Sequence, residues 1–288
     1  MRTILEQQMT VQQHIIPGPL EQGAGYKAYF FGPFRVTRDA QPLGDPVWRR
    51  NKAKALLKWF LLHPGKMFST DQLTSLFWPN IVRTAAGRNL HVTVNCLRHL
   101  LEPNLSPRQE SQFIRHNKHH FYWFESAEDW WTDILAVYHH QTAARLAEQG
   151  NDTVQVIEHY RSIVEYCSPG FLPEDAYEDT FAAHRRHFDS IYIQSLESLI
   201  HLCSQAGMFD KVLAYAHQAL LVNPYSELAA RAIIDTFFQQ GNITGALRKM
   251  NDFQQFLQED LGVEPGEEML LLRKKMIGSQ ATMRYPES

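Results

Sequence analysis

The sequence predicts a mainly α protein with a small β component, in which a winged helix-turn-helix domain precedes an all-α domain of repeated helix pairs. Three observations carry that expectation. An aromatic, β-branched stretch opens the periodic part of the chain, three amphipathic helices and a hairpin pattern follow it, and a 34-residue internal repeat occupies the far half. A length of 288 residues suits about two domains, each able to bury its own core.

The elements read in order as follows. Residues 1–26 mix Gln, Gly and Pro without sustained period and read as a flexible extension. From Ala28 to Leu43 the segment AYFFGPFRVTRDAQPL, broken at Gly32-Pro33 and at Asp39-Ala40, reads as short antiparallel strands. In WRRNKAKALLKWFLLHPG, Ala53, Leu56, Leu57, Phe60 and Leu61 recur on one helical face, opposite Arg49, Lys54 and Lys58. A second, short helix opens on the capping box Ser69-Thr70-Asp71-Gln72 and runs to Trp78-Pro79. A third can start after Thr84 as N-cap and ends before Pro103, with Leu90, Val94, Leu97 and Leu101 in one narrow stripe. The segment FIRHNKHHFYWF then alternates as a hairpin with Asn117 and Lys118 near its tip. Strands, three helices and a terminal hairpin make a winged helix, expected over residues 27–125.

Beyond Glu125 the period is helical. QAGMFDKVLAYAHQAL recurs weakly as QQGNITGALRKMNDFQ, placing Gly207 over Gly241 at an offset of 34 residues, the tetratricopeptide period. A degenerate earlier unit, LAEQGNDTVQVIEHY, puts Gly150 at the same turn. A tetratricopeptide-like domain of about three helical pairs is expected over 126–278, followed by a flexible tail over 279–288.

The net charge of −3 conceals an asymmetry. Residues 27–125 hold 15 Lys and Arg against 6 Asp and Glu, net +9, and residues 126–288 hold 12 against 23, net −11. A compact basic domain tied to an acidic one points to a polyanion partner for the first, or to mutual attraction of the two. No stretch approaches the roughly 18 apolar residues of a membrane span, and the start carries no export signal. Cys96, Cys167 and Cys203 are scattered and outside any metal pattern, which suits a reducing cytoplasm.

The third helix carries the chemistry. Its outward side mixes donors, acceptors and an apolar group, as major-groove reading requires. Arg88 suits a guanine, Asn89 or Asn95 an adenine, and Val92 a thymine methyl. His99 shares the outward side with them, and His91, Thr93 and Arg98 suit phosphates, together with the free amides at the helix start. A solvated face on a buried helix is the competing reading. The hairpin residues Arg115, His116, Lys118, His119 and His120, with Asn117 among them as a wing contact, make a cationic tip for a neighbouring minor groove, or a solvated turn. Arg49, Arg50, Lys52 and Lys54 suit either phosphate contact or solvent. No GxxxxGK[ST], GxGxxG, GxSxG or HExxH occurs, and His184-x-x-His187, His119-His120 and His139-His140 lack acidic or cysteine ligands. Neither an enzyme, a cofactor nor a metal is expected, and Trp130-Trp131 read as core.

In FFGPFRV, KALLKWFLLHPGKMFSTDQLTSLFWP, GRNLHVTVNCLRHLLEP and LGVEPGEEMLLLRKKM, in that order, the chain resembles the SARP-type transcriptional activators. Their winged helix is similar to that of OmpR/PhoB response regulators and precedes a bacterial transcriptional activator domain of tetratricopeptide-like repeats. The resemblance implies that residues 84–101 are the recognition helix, with Arg88, Asn89, His91, Val92 and Asn95 facing the groove. It also implies that the loop Trp78, Pro79, Asn80, Ile81, Val82 and Arg83 touches RNA polymerase. The chain departs from the family in a wing tip without glycine, and in Cys96 and His99 where Arg or Lys is common. The expected function is a sequence-specific DNA-binding regulator, an activator acting as a homodimer on repeated half-sites of double-stranded DNA, in the cytoplasm and away from membranes. The alternative is a tetratricopeptide adaptor whose winged helix docks proteins and reads no DNA.

Overall fold

In a computed structural model, residues 23–44, 51–107, 109–125 and 129–284 are described. Arg49, Arg50 and nearly all of the predicted extension lie outside these. The described residues up to Leu135, with Tyr177–Thr180, form one compact unit; Ala136–Ala176 and the residues from Phe181 onward form the other.

The first unit opens with β1 (Tyr26–Tyr29), β2 (Arg35–Arg38) and β3 (Gln41–Leu43). The β2–β3 turn is two residues, Asp39 and Ala40, both at positive φ, which matches the twist of a tight hairpin. Three helices follow: α1 (Asn51–Leu62), α2 (Thr70–Phe77) and α3 (Arg83–Leu101), with the two-residue strand β4 (Phe68–Ser69) leading into α2. Strands β5 (Ile114–His116) and β6 (Phe121–Phe124) form the hairpin, and β7 (Trp130–Thr132) closes the unit. The strands make two sheets, ordered β3-β2-β1-β7 and β4-β6-β5.

The predicted apolar stripes are the core. Ala53, Leu56, Leu57 and Phe60 of α1 and Leu90, Val94, Leu97 and Leu101 of α3 are buried, each large side chain worth about 1.5–3 kcal/mol of transfer free energy. The α2 capping box forms as expected: the Ser69 hydroxyl accepts from Gln72 N at 3.2 Å, and Gln72 Oε1 accepts from Ser69 N at 2.8 Å. Three expectations are corrected. Helix α3 starts at Arg83, with Val82 at the N-cap and no side-chain cap, so Thr84 lies inside the helix. Lys58, predicted on the solvated side of α1, is 2% exposed because Phe34 folds over it, its Nζ 5.1 Å from the ring centroid. And β7 is parallel to β1, Tyr26 opposite Trp130, so the tryptophan pair is core of the first unit's sheet rather than of the helical half.

Asp133 anchors the end of this sheet. Its buried carboxylate accepts from Phe30 N at 2.8 and 2.9 Å and from Phe31 N at 2.9 Å. Burial pushes its pKa up to about 7 against the pull of these amides.

The second unit is helical: α4 (Asp133–Gln149), which begins at its border, α5 (Thr153–Cys167), α6 (Ala182–Gln205), α7 (Phe209–Val222), α8 (Glu227–Gln239), α9 (Ile243–Leu261) and α10 (Glu267–Arg284). Helices α5 to α10 pack each on the next, as in a solenoid. The repeat is visible in the boundaries, since α7 and α9 begin 34 residues apart at Phe209 and Ile243. Gly207 and Gly241 take φ of 66° and 79° at the equivalent turns. At the earlier turn the left-handed residue is Asn151, φ 55°, rather than Gly150. A core of Ala230, Ile234, Ala246, Met250, Met269 and Met276 joins the last helices. Helix α10 runs to Arg284, into the segment predicted as tail.

Candidate nucleic-acid interface

Helix α3 is seated by its buried stripe, so its opposite face is committed to solvent. Arg88, Asn89, His91, Val92, Asn95 and His99 all lie on that face, and Val92 is 50% exposed. The face thus sets one half-exposed valine among amides, imidazoles and a guanidinium. Thr93, in contrast, is 7% exposed, and its hydroxyl donates to Asn89 O at 2.7 Å. It lies at i+3 from Leu90, on the inner side of the helix, and is no phosphate ligand in this geometry.

Arg98 is also differently placed from the expectation. Its Nε donates to Ile114 O at 2.9 Å and its NH2 to His116 Nδ1 at 3.1 Å. The guanidinium thus ties α3 to strand β5, and its fork is shared between backbone and imidazole. Because a guanidinium only donates, His116 accepts at Nδ1 and is neutral in this arrangement. Burial lowers the His116 pKa, with the Arg98 charge adding to it.

The wing closes without glycine. Asn117 Oδ1 accepts from His119 N at 3.0 Å and Phe121 N at 3.1 Å, while His120 takes φ 60° in the left-handed region where glycine would sit without strain. The His120 carbonyl accepts from Thr70 N at 3.0 Å and from the Thr70 hydroxyl at 3.1 Å, which fastens the tip to the start of α2. Lys118 and His119 are exposed, whereas Arg115 is half-buried and paired with Glu110 at 3.2 Å. Arg115 is therefore no free cation of the tip, and a salt bridge to the preceding loop has no local signature in the sequence.

The loop before α3 divides in two. Trp78 is buried, and so is a core residue rather than a contact surface. Pro79, Asn80, Ile81 and Val82 are exposed, the last at 75%, and Arg83 pairs with Asp71 across the foot of the loop. A surface groove of about 320 Å³ runs beside them, lined by Asp71, Ser75, Trp78 and Ile81 among others.

In the second unit, His187 Nε2 lies 3.1 Å from the Tyr138 hydroxyl, and His140 Nδ1 lies 3.1 Å from His159 Nδ1. Among the described residues no three His, Cys, Asp or Glu side chains converge in a way that would hold a metal ion, and no helix is long and apolar enough to cross a membrane.

Residues 132–276 match the model of the bacterial transcriptional activator domain. Among solved structures the chain is similar to Mycobacterium tuberculosis EmbR, solved in complex with a low-affinity phosphopeptide. The TM-score is 0.74 at 17% identity, over 88% of this chain and 65% of that one. The chain therefore spans less than two thirds of that chain's length. No curated protein sequence matches. The winged helix followed by repeated helix pairs is the architecture expected of a SARP-type activator, and with half its length matched, the chain belongs to the bacterial transcriptional activator domain family.

Proposed function

We propose that the protein is a sequence-specific DNA-binding transcription activator that reads the major groove with α3. The single observation that carries the reading is the exposed face of Arg88, Asn89, His91, Val92, Asn95 and His99 on a helix locked in place by its buried side. That face supplies bidentate donors for guanine, amides for adenine and an apolar contact for a thymine methyl. Lys118 and His119 at the wing tip, with Asn117 shaping it, supply contact to the adjacent backbone or minor groove. Membership of an activator family supports the regulatory role.

One winged helix reads only a few base pairs, too few to choose among genomic sites, so the protein acts as a homodimer on repeated half-sites. The exposed Pro79, Asn80, Ile81 and Val82, flanked by Arg83, are the surface offered to RNA polymerase. Selection of duplexes from a random pool by the full-length protein tests the reading. A recovered repeated motif, with its preference relaxed at one base pair of the half-site in Arg88→Ala, supports it. Recovery of no motif by the wild type overturns it in favour of an adaptor without DNA reading.

A further inference from the structure

Two imidazoles face each other across the first helical pair of the second unit. His140 lies in α4 and His159 in α5, 19 positions apart in sequence, and their Nδ1 atoms are 3.1 Å from one another. The rings are tilted by 44° with centroids 5.3 Å apart, and the Tyr166 ring lies against His140 at 6.1 Å. Both histidines are half-buried, so the pair is held by its neighbours yet reachable from solvent.

As a hydrogen bond this contact uses a single proton: one Nδ1 carries it and the other accepts. A cation in place of that proton uses both lone pairs at once. Bonds of about 2.0–2.1 Å from each nitrogen to a shared metal ion put the nitrogens roughly 2.9 Å apart at a right angle and roughly 3.4 Å apart at the tetrahedral angle. The observed 3.1 Å lies between the two, so the nitrogens already stand at the bite of a chelate. Burial, with the charges of His159 and His139 adding to it, lowers the His140 pKa to about 4, which leaves that ring neutral and able to ligate near neutral pH.

We propose that His140 and His159 form a two-imidazole site for a divalent transition metal ion of the zinc, nickel and copper class, which clips α4 to α5. Imidazole nitrogen selects these ions over Mg(II) and Ca(II), which take oxygen ligands. Among the described residues no third His, Cys, Asp or Glu converges with the pair, so water fills the remaining positions. Two protein ligands hold an ion less tightly than the four of a closed structural site. The ion therefore exchanges with its free concentration and, by binding the folded helix pair, stabilises it in proportion. The site stands apart from the DNA-binding reading. It is invisible to local spacing, because the partner of His140 comes from the next helix.

The test is titration of the metal-stripped full-length protein with Zn(II) near neutral pH, followed by calorimetry and by imidazole nitrogen shifts. One equivalent is expected to bind with a micromolar Kd, and the same concentration of Mg(II) should not compete. His140→Gln, His159→Gln and the double variant should each lose affinity by roughly tenfold or more, to the same residual level, since one imidazole alone cannot chelate. His139→Gln and His187→Gln should keep the wild-type affinity. The nitrogen shifts need no variant: His140 and His159 should move together and be complete at one equivalent. Absence of Zn(II) binding in the micromolar range, binding left unchanged by either His140→Gln or His159→Gln, or shifts confined to other histidines overturns the site and leaves the pair as a hydrogen bond between two helices.

Discussion

Helix α3 and the hairpin beside it face the same direction of chemistry but are held in place by different means. The helix is fixed by what it buries: four aliphatic side chains at i, i+4, i+7 and i+11 leave it a single orientation, and whatever sits opposite is presented rigidly. The base of the hairpin buries Ile114, Tyr122 and Phe124 in the same way, but its outer part is fixed by hydrogen bonds: Asn117 folds the tip, Thr70 holds the His120 carbonyl, and Arg98 grips Ile114 O and His116. On the function proposed above, apolar packing places the surface that discriminates, and the hydrogen-bonded tip places the exposed Lys118 and His119. Specificity should therefore reside in α3 and sequence-independent affinity in the wing.

Substitutions that separate the two modes sharpen this contrast. The largest effect is expected from Leu97→Ala in the α3 stripe, which leaves a cavity beside fully buried neighbours and should cost about 2–5 kcal/mol in denaturant unfolding. Arg88→Ala should leave the fold intact and relax discrimination at one base pair by about 1–3 kcal/mol, read from selection against single-base variants. Arg98→Ala should cost about 1–2 kcal/mol of stability through the lost bond to Ile114 O, weakening all duplexes alike. Arg98→Lys should not rescue it, because an ammonium lacks the fork that reaches a carbonyl and an imidazole together. Lys118→Ala should lower affinity uniformly and reduce the slope of log K against log salt by about one. Smallest and opposite in sign, His120→Gly should stabilise the unit by about 0.5–1 kcal/mol by relieving its left-handed backbone. A loss of stability there would mean that the imidazole's own contacts outweigh the strain.

The same contrast explains what was legible in the sequence. Periodicity announces a helix and its buried side, so α1 and α3 could be placed from Ala53, Leu90 and their partners, and α2 from its capping box at Ser69. The repeat announced α7 and α9 through the 34-residue spacing of Phe209 and Ile243. Thr93 is legible from the same periodicity: it sits at the i+3 position of the stripe begun by Leu90, which puts it on the buried side. What stayed hidden depends on long-range partners. Strand β7 is three residues long and exists because β1 lies beside it. Lys58 is buried because Phe34 covers it, and Arg98 and Arg115 are engaged because the wing and its preceding loop come to meet them.

Methylation interference at guanine N7 on the selected duplex tests the central claim, that α3 reads bases from the major groove. The account predicts that the wild type is blocked by methylation of a particular guanine in each half-site, and that Arg88→Ala binds more weakly but is indifferent to methylation there. A duplex bound sequence-selectively with no interference at any guanine N7, or an Arg88→Ala variant with the wild-type pattern, would contradict it.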